Sequence, residues 1–379
     1  MRGIKVLMVL DSMEYGGTET HVLSMVKVMQ EKGAEILIAG GTGAFSNQLN
    51  REMTVFTLPW PAYDQGYWIS ELSDVIRRES IDIIHAHQAP SGAMAAFAAE
   101  RLGIPFVYTT HGMYYSPYEL EAISKRATCM ISVSKPVHSF LERYQVQSRI
   151  ISNGIDLERF SPSEPEGLEL RRQLGISESA RVLLYASRLA WEKATVCNQM
   201  LMASKQLRRG DFPDLEVVIV GGGIQYEELQ RQAMRIEAEI GSPFIHMVGP
   251  QDNMPDYYRM SDCVVGTGRV ALEAMACGKP VLAAGNSGYL GWVSPGNYDI
   301  AWELYLGDHG SLRAATRLIL FEALRKGLSS KDSLMFLGST GRDWITEKFN
   351  VETTASATLD IYNEALRLRD INLMKGRSE

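Results

Sequence analysis

Strand-like and helix-like segments alternate twice along this chain, and that alternation constrains the fold more than any other feature. The run GIKVLMVLD (3–11) is continuously apolar, as a strand buried on both faces must be. A turn, SMEYGGTE, follows it. THVLSMVKVMQEKG then sets Val22, Met25, Val26 and Met29 on one helical face and stops at Gly33. EILIAG is the next strand. IDIIHAH, SGAMAAFAAERLG, PFVYTTH, YELEAISKRA, CMISVS, KPVHSFLERY and RIISNG continue the pattern. Residues 157–168, LERFSPSEPEGL, read as a linker. The alternation then restarts: RVLLYASR, a helix over 194–209, LEVVIVGGG, a helix over 224–240, FIHMVG, a short helix over 255–260, CVVG, a helix over 269–277, and PVLAAG. The tail from about 310 reads as helices. Strands alternating with helices predict α/β architecture with parallel sheets. The expectation is two doubly wound domains, 1–160 and 161–349, and a C-terminal helix within 350–379. A cleft between the carboxyl ends of the two sheets is the expected ligand site.

The length, 379 residues, suits two cores better than one. The net charge of -7 argues against a bulk nucleic-acid binder. Asp11 cuts the apolar start too short for a signal peptide, and no run approaches the ~20 apolar residues of a membrane span. Cys129, Cys197, Cys263 and Cys277 form no CxxC and read as buried, reduced thiols, which fits the cytosol.

Three segments carry candidate chemistry. In YGGTE (15–19), Gly16 and Gly17 let backbone approach a ligand, and Thr18 is placed to cap the following helix. The plainer alternative is a tight turn with no ligand. In ASRLAWEKA (186–194), Arg188 and Lys193 follow a strand at its carboxyl end. An arginine fork and a lysine point charge suit a diphosphate there; two solvated surface cations are the alternative. In GTGRVALEAMACGKPVLA (266–283), Gly266, Thr267 and Gly268 form a turn from strand into helix, whose free N–H groups favour an anion. Arg269 at the positive end of that helix points to an anionic ligand, or else to water. Glu273, one turn in, suits a vicinal diol such as a ribose, or an intrahelical salt bridge.

A metal site is not expected. His85, His87 and His111 end two strands, and packed or cleft-lining histidines are the favoured reading. No Asp-x-Asp is present to hold a divalent cation on a diphosphate. No nucleophile motif stands out. The aromatic clusters WPAYDQGYW (60–68) and YYSPY (114–118) read first as loop packing, with sugar stacking or lipid contact as the alternative.

Taken in order, GGTE, TTHG, SNGIDLERF, ASRLAWEK and GRVALEAMACGKPVLA resemble the retaining nucleotide-sugar glycosyltransferases of family 4, over roughly residues 1–285. That resemblance implies the GT-B fold: two Rossmann-like domains and a C-terminal helix that crosses back to the first. It implies a nucleotide-diphosphate sugar as donor, a sugar or lipid-linked acceptor, no nucleic acid and no cofactor. It also implies a cytoplasmic protein with peripheral membrane contact at the inner face. Carried over, Gly16 and Gly17 border donor phosphates and acceptor, and His111 touches the transferred sugar. Arg188 and Lys193 clamp the diphosphate, the amides of 266–269 face phosphate, and Glu273 holds the ribose. The family's usual pair is Glu-x7-Glu; here the first position is Val265, so the sugar contact is missing. Residues 285–310 also depart from the family pattern. Two rivals share the fold: a nucleotide-sugar epimerase and a nucleotide-sugar-binding protein without turnover.

Overall fold

The computed structural model describes residues 3–14, 16–43, 46, 53–58 and 64–375. The chain forms two compact units, one of Met1–Gly154 with Val351–Glu379 and one of Ile155–Asn350.

Unit 1 runs β1 (Lys5–Ser12), α1 (Gly17–Glu31), β2 (Glu35–Gly41), β3 (Val55–Thr57), α2 (Gln65–Glu79), β4 (Ile83–Ala86), α3 (Ala89–Leu102), β5 (Phe106–Thr110), α4 (Pro117–Ser124), β6 (Cys129–Ser132), α5 (Lys135–Arg143) and β7 (Arg149–Ile150). Its seven strands are all parallel, in the order β3-β2-β1-β4-β5-β6-β7. The chain therefore winds one way from β1 and the other way from β4, with Val6–Val9 facing Ile83–Ala86 in register. The apolar stripe of α1 is buried as its spacing requires: Val22, Met25, Val26 and Met29 are at most 1% exposed. RIISNG yields only the two exposed residues of β7 as strand.

Unit 2 runs α6 (Glu164–Gln173), β8 (Arg181–Ala186), α7 (Trp191–Arg209), β9 (Leu215–Val220), α8 (Tyr226–Ile240), β10 (Ile245–Gly249), α9 (Met254–Met260), β11 (Cys263–Gly266), α10 (Gly268–Ala276), β12 (Val281–Gly285), β13 (Gly288–Trp292), α11 (Tyr298–Glu303), α12 (Arg317–Leu328) and α13 (Lys331–Lys348). Its sheet order is β10-β9-β8-β11-β12-β13, parallel except for the antiparallel edge strand β13. The linker expected over 157–168 is a correction. From Glu164 it is helix α6, with Pro165 in the first turn and two acids at the positive end, a composition that starts helices as well as loops. Arg171 ties α6 into unit 2, donating to the carbonyls of Met260, Glu178 and Ala180 and to Asp262.

The chain returns to unit 1 as α14 (Val351–Lys375), which packs on α1 and the sheet through Val351, Ala355, Ile361, Tyr362 and Ala365. Buried His85 joins them: its Nδ1 lies 2.7 Å from the Tyr362 hydroxyl and its Nε2 2.8 Å from Thr109 Oγ1. All four cysteines are free, three of them buried. No helix among the described residues is long and apolar enough to cross a membrane.

Candidate active site

Open α/β sheets bind ligands beyond the carboxyl ends of their strands, where the winding reverses. In unit 2 that point lies between β8 and β11. The loop after β8 carries Arg188, exposed, and Lys193, half-buried in the first turn of α7. This loop is laced to the glycine turn after β9. Leu189 N–H donates to the Gly222 carbonyl (2.8 Å), and Gln225 N–H donates to that of Leu189 (3.0 Å). Gly221 has φ +132°, and a Cβ there would lie 1.9 Å from the Ser187 carbonyl oxygen. Only glycine allows that approach. Trp191 opens α7 at φ +46° and is 66% exposed. A bulky residue held in the left-handed region costs about 1–3 kcal/mol, strain of the kind that collects at functional sites.

The second loop at this point joins β11 to α10. Gly266 is buried, Thr267 is the N-cap and Gly268 opens the helix. Neither α7 nor α10 receives a side-chain cap, so the first amides of both are oriented to receive an anion. Thr267 instead donates to Asp308 Oδ1 (3.0 Å). Arg269 does not point to water: its side chain is 11% exposed, and its Nε donates to Glu273 Oε1 (2.7 Å). Glu273 Oε2 accepts from the buried Tyr258 hydroxyl (2.9 Å), whose pKa burial holds well above the usual phenol value. The intrahelical salt bridge is therefore present. Each carboxylate oxygen has two lone pairs, so both retain capacity for a further donor.

In unit 1 the winding reverses between β1 and β4. Gly16 N-caps α1 with extended backbone and no side-chain cap, and Gly17 is the first helical residue. Thr18 is a correction: it lies inside the first turn and is not the cap. Tyr15 lies outside the described residues. A Cβ on Gly16 would sit 2.4 Å from Glu19 Oε2. Glu19 Oε1 accepts from Gln88 Nε2 (2.8 Å), Gln88 Oε1 accepts from Asp11 N–H (2.6 Å), and Asp11 Oδ1 accepts from Ser91 N–H (2.9 Å). Burial raises the Asp11 pKa. His111 follows β5, half-buried, with Nε2 3.2 Å from His87 Nδ1. Burial, the largest influence on His87, holds its pKa well below the imidazole norm.

Two family models match the chain: Glycosyltransferase Family 4 over residues 15–159, and Glycosyl transferases group 1 over residues 168–307. The chain is a glycosyltransferase, family 4 in its first part and group 1 in its second. It is 27% identical over 408 residues to a D-inositol 3-phosphate glycosyltransferase of Thermobispora bispora, covering 93% of this chain and 90% of that one. It is 25% identical over 330 residues to the alpha-monoglucosyldiacylglycerol synthase of Streptococcus pneumoniae, covering 78% and 73%. In fold it is similar to Anabaena Alr3699/HepE in complex with UDP-glucose, with a TM-score of 0.75, 20% identity and coverage of 94% and 99%. The GT-B architecture expected from the sequence is the one found.

In this glycosyltransferase the predicted residues fall into two groups. Gly16, Gly17 and His111 stand at the reversal point of unit 1. Arg188, Lys193, 266–269 and Glu273 stand at that of unit 2. Val265 lies in β11, fully buried, opposite Tyr185 and Leu282, and is part of the core, in keeping with the missing sugar contact. Counting eight residues back from Glu273 reaches a strand here. The carboxylate that borders the helix start is Asp308: a Cβ on Gly268 would lie 3.0 Å from its Oδ2. The sequence reading missed Asp308, and also Tyr258 and His21. Tyr305, Leu306 and Gly307, all at positive φ, hold the loop before Asp308, and His309 stacks on Tyr305 at 4.8 Å. Of the aromatic clusters, residues 60–63 lie outside the described residues. Trp68 is core on α2, and Tyr114 and Tyr118 are exposed. A separate cavity of about 880 Å³ in unit 1, lined by Leu120, Met130, Arg149 and Glu364 among others, involves none of the predicted residues.

Proposed function

We propose that this glycosyltransferase moves a sugar, with retention, from a nucleoside-diphosphate sugar to a hydroxyl of a sugar or lipid-linked acceptor, and that it does so without a divalent metal. The observation that carries this is the convergence at one reversal point of Arg188, Lys193 and two uncapped helix starts. As the diphosphate departs, these groups stabilise the growing negative charge by preorganised electrostatics. The acceptor attacks on the face the diphosphate leaves. Glu273 accepts from the ribose hydroxyls, and His111 meets the transferred sugar. Asp308 supplies the carboxylate for sugar hydroxyls that Val265 does not. The similarity to HepE bound to UDP-glucose supports a uridine donor. The similarity to an alpha-monoglucosyldiacylglycerol synthase and to D-inositol 3-phosphate glycosyltransferases supports a lipid or polyol acceptor. The reading places the encounter at the cytoplasmic face of a membrane. The alternative without turnover leans on Val265, which is a core residue here.

UDP release from UDP-glucose, measured with inositol phosphate or with vesicles containing diacylglycerol, is expected to survive EDTA. A strict requirement for added magnesium or manganese would overturn the leaving-group chemistry.

A further inference from the structure

We propose that His21, His87 and His111 form a binding site for a transition-metal dication of the zinc class. The three come from α1, the carboxyl end of β4 and the carboxyl end of β5, and one ring nitrogen from each lies within 4.8 Å of the others. His87 Nδ1 and His111 Nε2 are 3.2 Å apart. Two imidazoles on one tetrahedral zinc, with bonds of about 2.0–2.1 Å, stand about 3.3 Å apart. That pair already has the required spacing. The His21 nitrogen needs a shift of at most about 1.5 Å to complete it.

Burial favours the same reading. His21 is 3% exposed and His87 fully buried, so both present dry nitrogens, while half-buried His111 leaves an approach for the ion. His85 packs against His87 at 4.2 Å between ring centroids, but it is not a ligand, because Tyr362 and Thr109 hold both its nitrogens. Three imidazoles select zinc, copper or nickel over magnesium and calcium, which want oxygen. Three protein ligands also leave a fourth position for water.

All three ligands belong to unit 1. The site's consequence, which rests on the proposed function, is inhibition: an ion on His111 withdraws that imidazole from the transferred sugar. The binding itself does not depend on that reading, and it is tested without turnover.

The full-length chain, freed of metal, is titrated with Co²⁺ alone and followed by visible absorption. The zinc-loaded wild type is then examined by X-ray absorption. We expect one equivalent of Co²⁺ with the intense bands of a four-coordinate ion, and three imidazoles around zinc. His21→Ala and His87→Ala should each weaken binding at least about ten-fold. His246→Ala, whose imidazole pairs with Glu216 in unit 2, should leave it unchanged. No saturable binding to wild type, unchanged affinity in the folded His21 and His87 variants, or fewer than three imidazoles around zinc would each overturn the site. If a variant fails to fold, the wild-type X-ray absorption decides alone.

Discussion

Glu273→Ala is expected to destabilise unit 2 by about 3–5 kcal/mol, because it removes the carboxylate of a buried ion pair. Arg269 and Glu273 are 11% and 9% exposed, and the carboxylate also receives the buried Tyr258 hydroxyl. Removal of the acid leaves both donors short of their acceptor. Glu273→Gln keeps the shape and an acceptor oxygen but loses the charge, so about 1–3 kcal/mol should go. Where that loss appears separates structure from function. If the carboxylate also grips a ribose diol, Glu273→Gln weakens UDP binding while a 2′,3′-dideoxy analogue shows little of the loss. Calorimetric unfolding of the full chain reads the first effect, and titration with the two nucleotides the second. Equal losses for ribo and dideoxy ligands would assign Glu273 to the fold alone.

Gly221→Ala is expected to be nearly as severe, at roughly 2–4 kcal/mol of unit 2 stability. Its φ of +132° and the Ser187 carbonyl 1.9 Å from the would-be Cβ leave no room, and both strands of that contact are backbone. The displaced element is the loop that carries Arg188, so donor affinity should fall with stability. Gly241 is the control. It has φ +86° but nothing within 4 Å of a Cβ, so Gly241→Ala should cost only about 1 kcal/mol and leave the site intact. If the two alanines behaved alike in thermal unfolding and nucleotide binding, the glycine turn would not be what positions Arg188.

These residues also show what a sequence discloses. The buried strands and the stripe of α1 were legible because burial on both faces, or on one helical face, leaves a period in the residues themselves. Arg188, Lys193 and the turn 266–269 were legible because they sit at strand ends, where a parallel sheet must place its loops. What was missed depends on contacts distant in sequence. Asp308 reaches Thr267 across forty-one positions. Tyr258 reaches Glu273 from the neighbouring helix α9. His21 meets His87 and His111 only because α1 lies over the reversal point of the sheet, and nothing near His21 in the sequence marks that. Val265 shows the limit of a spacing rule: the loop before α10 is so short that the position eight residues before Glu273 falls inside β11. The linker failed because Ser, Pro and Glu open helices as readily as they fill loops.

In the proposed reaction unit 2 recognises a diphosphate through Arg188 and Lys193. The most direct test of that recognition is calorimetric titration of UDP and of uridine into the wild type, Arg188→Ala and Lys193→Ala. Each replacement removes a charge-assisted contact worth about 1.5–3 kcal/mol, so UDP affinity should fall roughly ten-fold or more while uridine affinity stays unchanged. Equal losses for UDP and uridine, or no loss for either, would contradict it.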